Sequence, residues 1–220
     1  MELKKKLTEA VIRGDAAETE ALTRQAIAAD VDLEELLSEA MIPAMDEVGG
    51  RFARGEFFIP ELMVAARAMK AGMALIRPRL AASEVQSAGR VVIGTVFGDQ
   101  HDIGKNLVGS MLEGGGFDVI DLGFDVDPER FVGAAIEHQA HVIGMSALLT
   151  TTMPAMRTVV EEVEKASLRG QTKIMIGGAP ITQRFADEIG ADGYAEDAGS
   201  AVALARALVA DGGSVKGPGQ

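Results

Sequence analysis

VVIGTVFGDQHDIGKN, residues 91–106, is the stretch whose reading decides the fold. Its first six residues are all β-branched except one glycine, and a dense polar loop with Asp99, Gln100, His101, Asp102, Gly104, Lys105 and Asn106 follows. A run of that kind reads as a short strand buried on both faces. Three similar runs come later, FDVIDLG (117–123), HVIGMSA (141–147) and KIMIGG (173–178), each followed by a helical pattern. A weak fifth run through Gly193 to Ala195 precedes an Ala-rich helix ending near Asp211. Strands alternating with helices predict an α/β domain over 89–213, Rossmann-like and of the flavodoxin type, with a doubly wound five-stranded parallel sheet. Ligands of such sheets bind beyond the carboxyl ends of the strands, where the polar loop after Val96 falls.

Before residue 85 the grammar differs, because apolar positions recur at threes and fours. Leu3, Leu7 and Val11 mark a first helix; Gly14-Asp15 ends it and caps a second through Leu22, Ala26 and Ala29. Asp32 caps a third that runs through Met41, Met45 and Phe52, with a kink or short break expected at Pro43. Gly55 separates it from a fourth beginning near Pro60. Four helices with short turns predict a bundle over residues 1–85. SEVQSAGR (83–90) reads as a linker and residues 214–220 as a flexible tail.

Composition narrows the function. A net charge of −12 disfavours nucleic acid as a partner, since neutralising phosphates takes clustered Lys and Arg. The absence of cysteine excludes disulfides, thiolate metal sites and thiol nucleophiles. Charges interrupt the apolar residues of MELKKKLTEAV, so neither a signal peptide nor a membrane span is expected, and a cytoplasmic location is the default.

The polar loop carries the chemistry. His101 can offer one ring nitrogen to a metal while the other donates to a carboxylate, and Asp99 is two residues away. Against this, most loop histidines are simply solvated, and D-x-H arises often by chance. The wider pattern weighs for the ligand. Asp99-Gln100-His101-Asp102-Ile103-Gly104, then 41 residues to Ser146-Ala147-Leu148, then 28 to Gly177-Gly178, resembles the D-x-H-x-x-G, S-x-L, G-G signature of cobalamin-binding domains. The helical half, with Ile42-Pro43-Ala44-Met45-Asp46-Glu47-Val48-Gly49, Phe52, Gly55, Phe58, Pro60 and AARAM (65–69), resembles the cap of the methylcobalamin-binding branch. The two together look like the small corrinoid proteins of anaerobic methyltransferase systems, and like the cobalamin module of methionine synthase.

That resemblance implies cobalamin or a related corrinoid as cofactor, with His101 replacing the cofactor's own base beneath the cobalt. It implies that Asp99 accepts from the far nitrogen of His101 and that Thr152 continues the relay, where methionine synthase has Ser. By sequence alone Thr152 reads equally as a helix N-cap. Ser146 and Leu148 would line the channel of the nucleotide tail, with Gln100, Asp102, Ile103 and Thr150 among the cofactor contacts. Gly104, Gly115, Gly177 and Gly178 would let the backbone approach the tail, although tight turns ask for the same residue. Phe58 would shield the upper face, helped by Met63, Met69 and Met73, which read equally as core. His138 and His141 read as structural, and a conventional zinc site is not expected.

The function expected is that of a methyl carrier, a non-catalytic corrinoid subunit in one-carbon metabolism. His101 would act as a switch, bound to cobalt in one oxidation state and released, protonated, in another. Its expected partners are a substrate-specific methyltransferase, an acceptor methyltransferase and a reductive activator, with a hinge near residues 82–90 to move the cap. A cobalamin-dependent sensor or regulator is the principal alternative; a mutase subunit and a cofactor-free interaction protein are weaker ones.

Overall fold

Gly14 and Asp15 separate the first two helices: α1 spans Glu2–Ile12, α2 spans Ala16–Ala28, and the Asp15 carboxylate accepts the Glu18 N–H as an N-cap. The computed structural model describes residues 2–80 and 87–212. By internal contact the chain divides into two units, 1–87 with 110–116 and 88–109 with 117–220. Residues 83–86 of the expected linker and the expected tail at 214–220 lie outside the described residues.

In the first unit the break at Pro43 takes a specific form. The run is α-helical over Leu33–Leu36 (α3), π-helical over Leu37–Met41, and α-helical again over Ile42–Ala53 (α4). Proline lacks the N–H owed to the carbonyl four residues back, and its ring crowds that carbonyl. A widened turn, in which the Ile42 N–H reaches Leu37 instead, relieves both. The fourth helix, α5, spans Ile59–Leu80. Leu7, Val11, Leu36, Met41, Met45, Val48, Leu62 and Ile76 form the buried interior of this bundle. Met69 and Met73 are buried with them, whereas Met63 is exposed.

From residue 88 on, strands and helices alternate as expected: β1 (Arg90–Thr95), α6 (Ile103–Gly114, whose residues 110–114 count with the first unit), β2 (Asp118–Asp121), α7 (Pro128–Glu137), β3 (Val142–Ser146), α8 (Met153–Lys165), β4 (Lys173–Gly177), α9 (Gln183–Ile189), β5 (Gly193–Ala195) and α10 (Ala198–Gly212). All strand pairs are parallel, in the order β2-β1-β3-β4-β5. β1 ends at Thr95, one residue before the expected Val96, because the chain turns there: the Asp99 N–H bonds back to the Val96 carbonyl at 3.1 Å. Val92, Ile143, Ile174 and Ile176 from the sheet pack with Phe131, Met156, Val159 and Val163 from the helices. Each such side chain contributes about 1.5–3 kcal/mol on burial, which makes the sheet a rigid mount for its loops.

Candidate functional site

Strand order places the site. Connections leave β1 toward β2 on one side and β3 lies on the other, so the switch point is between β1 and β3. Register brings the pieces level, with Thr95 opposite Ser146 and Ser146 opposite Gly177. The loops that follow β1, β3 and β4 therefore start from one edge of the sheet.

Asp99 is the hub of these loops. It is completely buried and accepts from five donors. Oδ1 takes the His101 ring Nδ1 at 2.8 Å and the His101 main-chain N–H at 3.1 Å. Oδ2 takes the Leu148 N–H at 2.8 Å, the Leu149 N–H at 3.3 Å and the Thr152 hydroxyl at 2.7 Å. Burial alone would raise its pKa, but the Leu148 N–H foremost, then Thr152 and His101, outweigh burial and hold the carboxyl well below the usual carboxylate range. Thr152 stands at the N-cap position of α8 without making a capping bond. Its hydroxyl goes to Asp99 instead.

An ionised Asp99 makes Nδ1 the donor, so in the neutral ring the lone pair sits on Nε2. The His101 side chain is 53% exposed, and Nε2 has no hydrogen-bond partner among the described residues. Thr95, fully buried, donates its hydroxyl to the His101 carbonyl at 2.8 Å and pins the loop from below. Ile103 (78% exposed), Phe97, Phe124, Leu148 and Leu149 leave large apolar side chains open to solvent on the loops at this edge. Among the described residues no three His, Cys, Asp or Glu side chains come together to hold a bare metal ion. One free imidazole nitrogen amid apolar loops suits a metal that arrives inside its own macrocycle, which fills the remaining positions.

Gln100 and Thr150 are exposed, Asp102 and Ser146 are half-buried, and Gly104 has open space where a Cβ would stand. Gly177 ends β4, where a Cβ would come 3.1 Å from the Ala195 carbonyl. Gly178 has φ +128°, and a Cβ there would stand 1.9 Å from the Ala147 carbonyl oxygen, so the neighbouring loop already demands glycine. Gly115 lies past the C-terminus of α6, at the opposite end of that helix from Gly104. Phe58, in the first unit, is 64% exposed just before α5, and its N–H is held by Glu61 at 2.9 Å. His141 accepts the Arg90 N–H on Nδ1 at 3.0 Å, at the far end of β1 from His101.

Two features escape a linear reading. Lys105 is buried, and its ammonium bonds both oxygens of Asp121 (2.6 and 2.5 Å) and the Asn106 side chain (2.6 Å); Asn106 in turn donates to Asp102 at 3.0 Å. Asp125 binds the backbone of the 98–99 loop. The signal for both acids was their place at or after the carboxyl end of a strand, where polar side chains serve the site.

Comparison with known proteins agrees with this geometry. Residues 89–203 match the family model described as B12 binding domain, and residues 3–77 match a second model of the same description. A corrinoid protein of Desulfitobacterium hafniense is 43% identical over 95% of this chain and 98% of its own length. The trimethylamine corrinoid protein of Methanosarcina barkeri is 43% identical over 93% of this chain and 95% of its own. Among solved structures, a cobalamin-binding protein from Desulfitobacterium hafniense superposes with a TM-score of 0.80 at 31% identity, covering 93% of this chain and 98% of that one. The methanol:cobalamin methyltransferase complex of Methanosarcina barkeri contains a chain with a TM-score of 0.83 at 30% identity, covering 95% and 80%.

Proposed function

Since the chain belongs to the corrinoid proteins, with B12 binding domains in both its parts, we propose that it shuttles a methyl group between a substrate-specific methyltransferase and an acceptor methyltransferase, with His101 as the lower ligand of the cobalt. The single observation that carries this reading is the half-exposed His101 ring, held through Nδ1 by a buried carboxylate while Nε2 has no hydrogen-bond partner among the described residues. A bound corrinoid supplies a cobalt that takes up and gives up a methyl group. The protein's own residues do the rest.

Asp99 keeps the proton on Nδ1, so Nε2 would be the atom that holds the cobalt, in a ring whose orientation the carboxylate fixes. Were Nε2 to leave a metal, the same carboxylate would keep the ring in place through Nδ1. Thr152, Leu148 and Leu149 occupy the other oxygen and stop Asp99 from swinging away. Ser146, Leu148, Thr150, Gln100, Asp102, Ile103, Gly104, Gly177 and Gly178 are the residues we assign to holding the corrinoid, Ile103 and Leu148 by apolar contact. Phe58 we assign to keeping water from the methyl group. A reductive activator that restores oxidised cobalt completes the proposed set of partners.

Similar proteins are named for dimethylamine, trimethylamine and methanol, which sets the panel. The test is to load the protein with hydroxocobalamin, reduce it, and follow methyl uptake from methylamines, methanol and methoxybenzenes with candidate methyltransferases. Uptake with one donor class, together with loss of the imidazole-ligated spectrum in His101→Ala, is the expected result. A loaded protein that never takes up a methyl group, or whose spectrum ignores His101→Ala, would overturn the reading.

A further inference from the structure

Four residues other than glycine have positive φ among those described, and three of them stop a helix: Asp30 after α2, Gln139 after α7 and Ser167 after α8. Asp125, at φ 53°, is the fourth and ends no helix. It lies in the connection between β2 and α7. A left-handed backbone there calls for an account in terms of what it positions.

What it positions is the Asp99 loop. The Asp125 carboxylate accepts the Gly98 N–H at 2.7 Å, and the Asp125 N–H donates to the Asp99 carbonyl at 3.0 Å. Two bonds of opposite sense between the same two loops set both their separation and their register. On its other side the Asp99 N–H is held by the Val96 carbonyl. The main chain of Asp99 is thus tied fore and aft, which aims its carboxylate at Leu148, Thr152 and the His101 ring. The Lys105–Asp121 pair anchors the start of the same connection to α6. Gly98 and Asp125 are both exposed, so water could replace their bond at little cost to folding, and stability alone does not explain the arrangement.

We propose that Asp125 is a positioning residue for the metal-ligating imidazole: it buckles the β2–α7 connection onto the β1–α6 loop, so the Asp99–His101 pair is preformed before a corrinoid arrives. This rests on the reading of His101 as the cobalt ligand, and it adds a residue outside the signature that led to that reading.

Two variants separate the carboxylate from the backbone. Asp125→Gly removes the acceptor and eases positive φ, while Asp125→Asn keeps an acceptor oxygen and tolerates positive φ nearly as well. In the corrinoid-free protein, NMR of the His101 ring reads how fast the Nδ1 proton exchanges with water. Exchange in Asp125→Gly should rise about tenfold, the factor corresponding to about 1.4 kcal/mol of lost hydrogen bonding, and Asp125→Asn should stay within about twofold of wild type. After loading with hydroxocobalamin, the imidazole-ligated fraction should fall in Asp125→Gly and return in Asp125→Asn. Wild-type exchange in Asp125→Gly, or equal losses in both variants, would overturn the proposal. Because the exchange measurement needs no cofactor, it decides the role of Asp125 even if the loaded wild type were to show no imidazole on cobalt.

Discussion

Replacing Asp99 by Asn keeps the shape of the side chain but leaves one acceptor oxygen where five donors now converge on two. Which way the amide faces is decided by which donors can adapt. The Leu148 and Leu149 N–H groups are fixed main-chain donors, whereas the imidazole can shift its proton from Nδ1 to Nε2. The amide oxygen therefore takes the Oδ2 position, and the NH2 group turns to His101. The ring must then accept at Nδ1 and carry its proton on Nε2, the atom we assign to the metal. Energetically, three bonds lose charge assistance, worth about 0.5–1 kcal/mol each, and the His101 main-chain N–H loses its acceptor near solvent at about 0.5–1 kcal/mol more; together these cost about 2–4 kcal/mol. At a urea m-value of about 2 kcal/mol/M the unfolding midpoint drops by about 1–2 M. Restoring the ligating tautomer sets the amide N–H against the Nδ1 proton, so imidazole ligation of cobalt should weaken by about 10–100-fold, read from the absorption spectrum of the loaded protein. An Asp99→Asn protein that melts like wild type refutes the hub. One that loses stability yet keeps full imidazole ligation refutes the tautomer argument alone.

Three further outcomes follow from the geometry. Thr152→Val should cost about 1–2 kcal/mol by chemical denaturation while Thr152→Ser stays within about 0.5, because the hydroxyl, not the methyl group, reaches Asp99; a Thr152→Val protein as stable as wild type would contradict it. Gly178→Ala should destabilise by about 3 kcal/mol or more, since positive φ and a Cβ 1.9 Å from a main-chain oxygen leave no cheap adjustment; a loss under about 1 kcal/mol contradicts it. Burial first and the Arg90 charge second push the His141 pKa below the ordinary 6.5. The unfolded chain then binds the proton more readily, so this contribution to stability is full above about pH 6.5 and is lost as pH falls toward the depressed value. His141→Gln should flatten that step in urea midpoints measured from pH 7.5 to 5, and an unchanged slope would show that another group titrates.

How far the molecule could be read from its residues depends on the distance over which each feature is determined. VVIGTV is legible as a strand because a β-branched run ending at a polar, glycine-bearing loop is a local signal. Pro43 marks where the third helix must adjust, but whether it kinks or widens depends on a bond from Ile42 to Leu37 that no residue type announces. The end of β1 is one residue short of the apolar run because a turn closing on the Val96 carbonyl competes with the ladder. Asp99 and His101 are two residues apart, so their meeting can be weighed from a short loop. Lys105 and Asp121 are 16 apart, and Gly98 and Asp125 are 27 apart. Those pairs meet only because β2 lies beside β1, an order that the alternation of strands and helices does not specify.

The same dependence bears on why a single imidazole would suffice if His101 is the ligand we propose. A bare metal ion needs several protein ligands, each with its own route through the fold. Here one ring is offered, and the sheet spends its convergent groups on the carboxylate behind it: main-chain N–H groups after β3, a hydroxyl at the head of α8, and a loop held from β2. On our reading of His101 as the ligand, a ring held from behind and open on its other side is what a carrier that must both bind and release requires. Rigid support of Asp99 and exposure of the His101 ring are then two halves of one arrangement, and on the proposed reading weakening the support should change how readily the ring would hold the metal before it changes whether the protein folds.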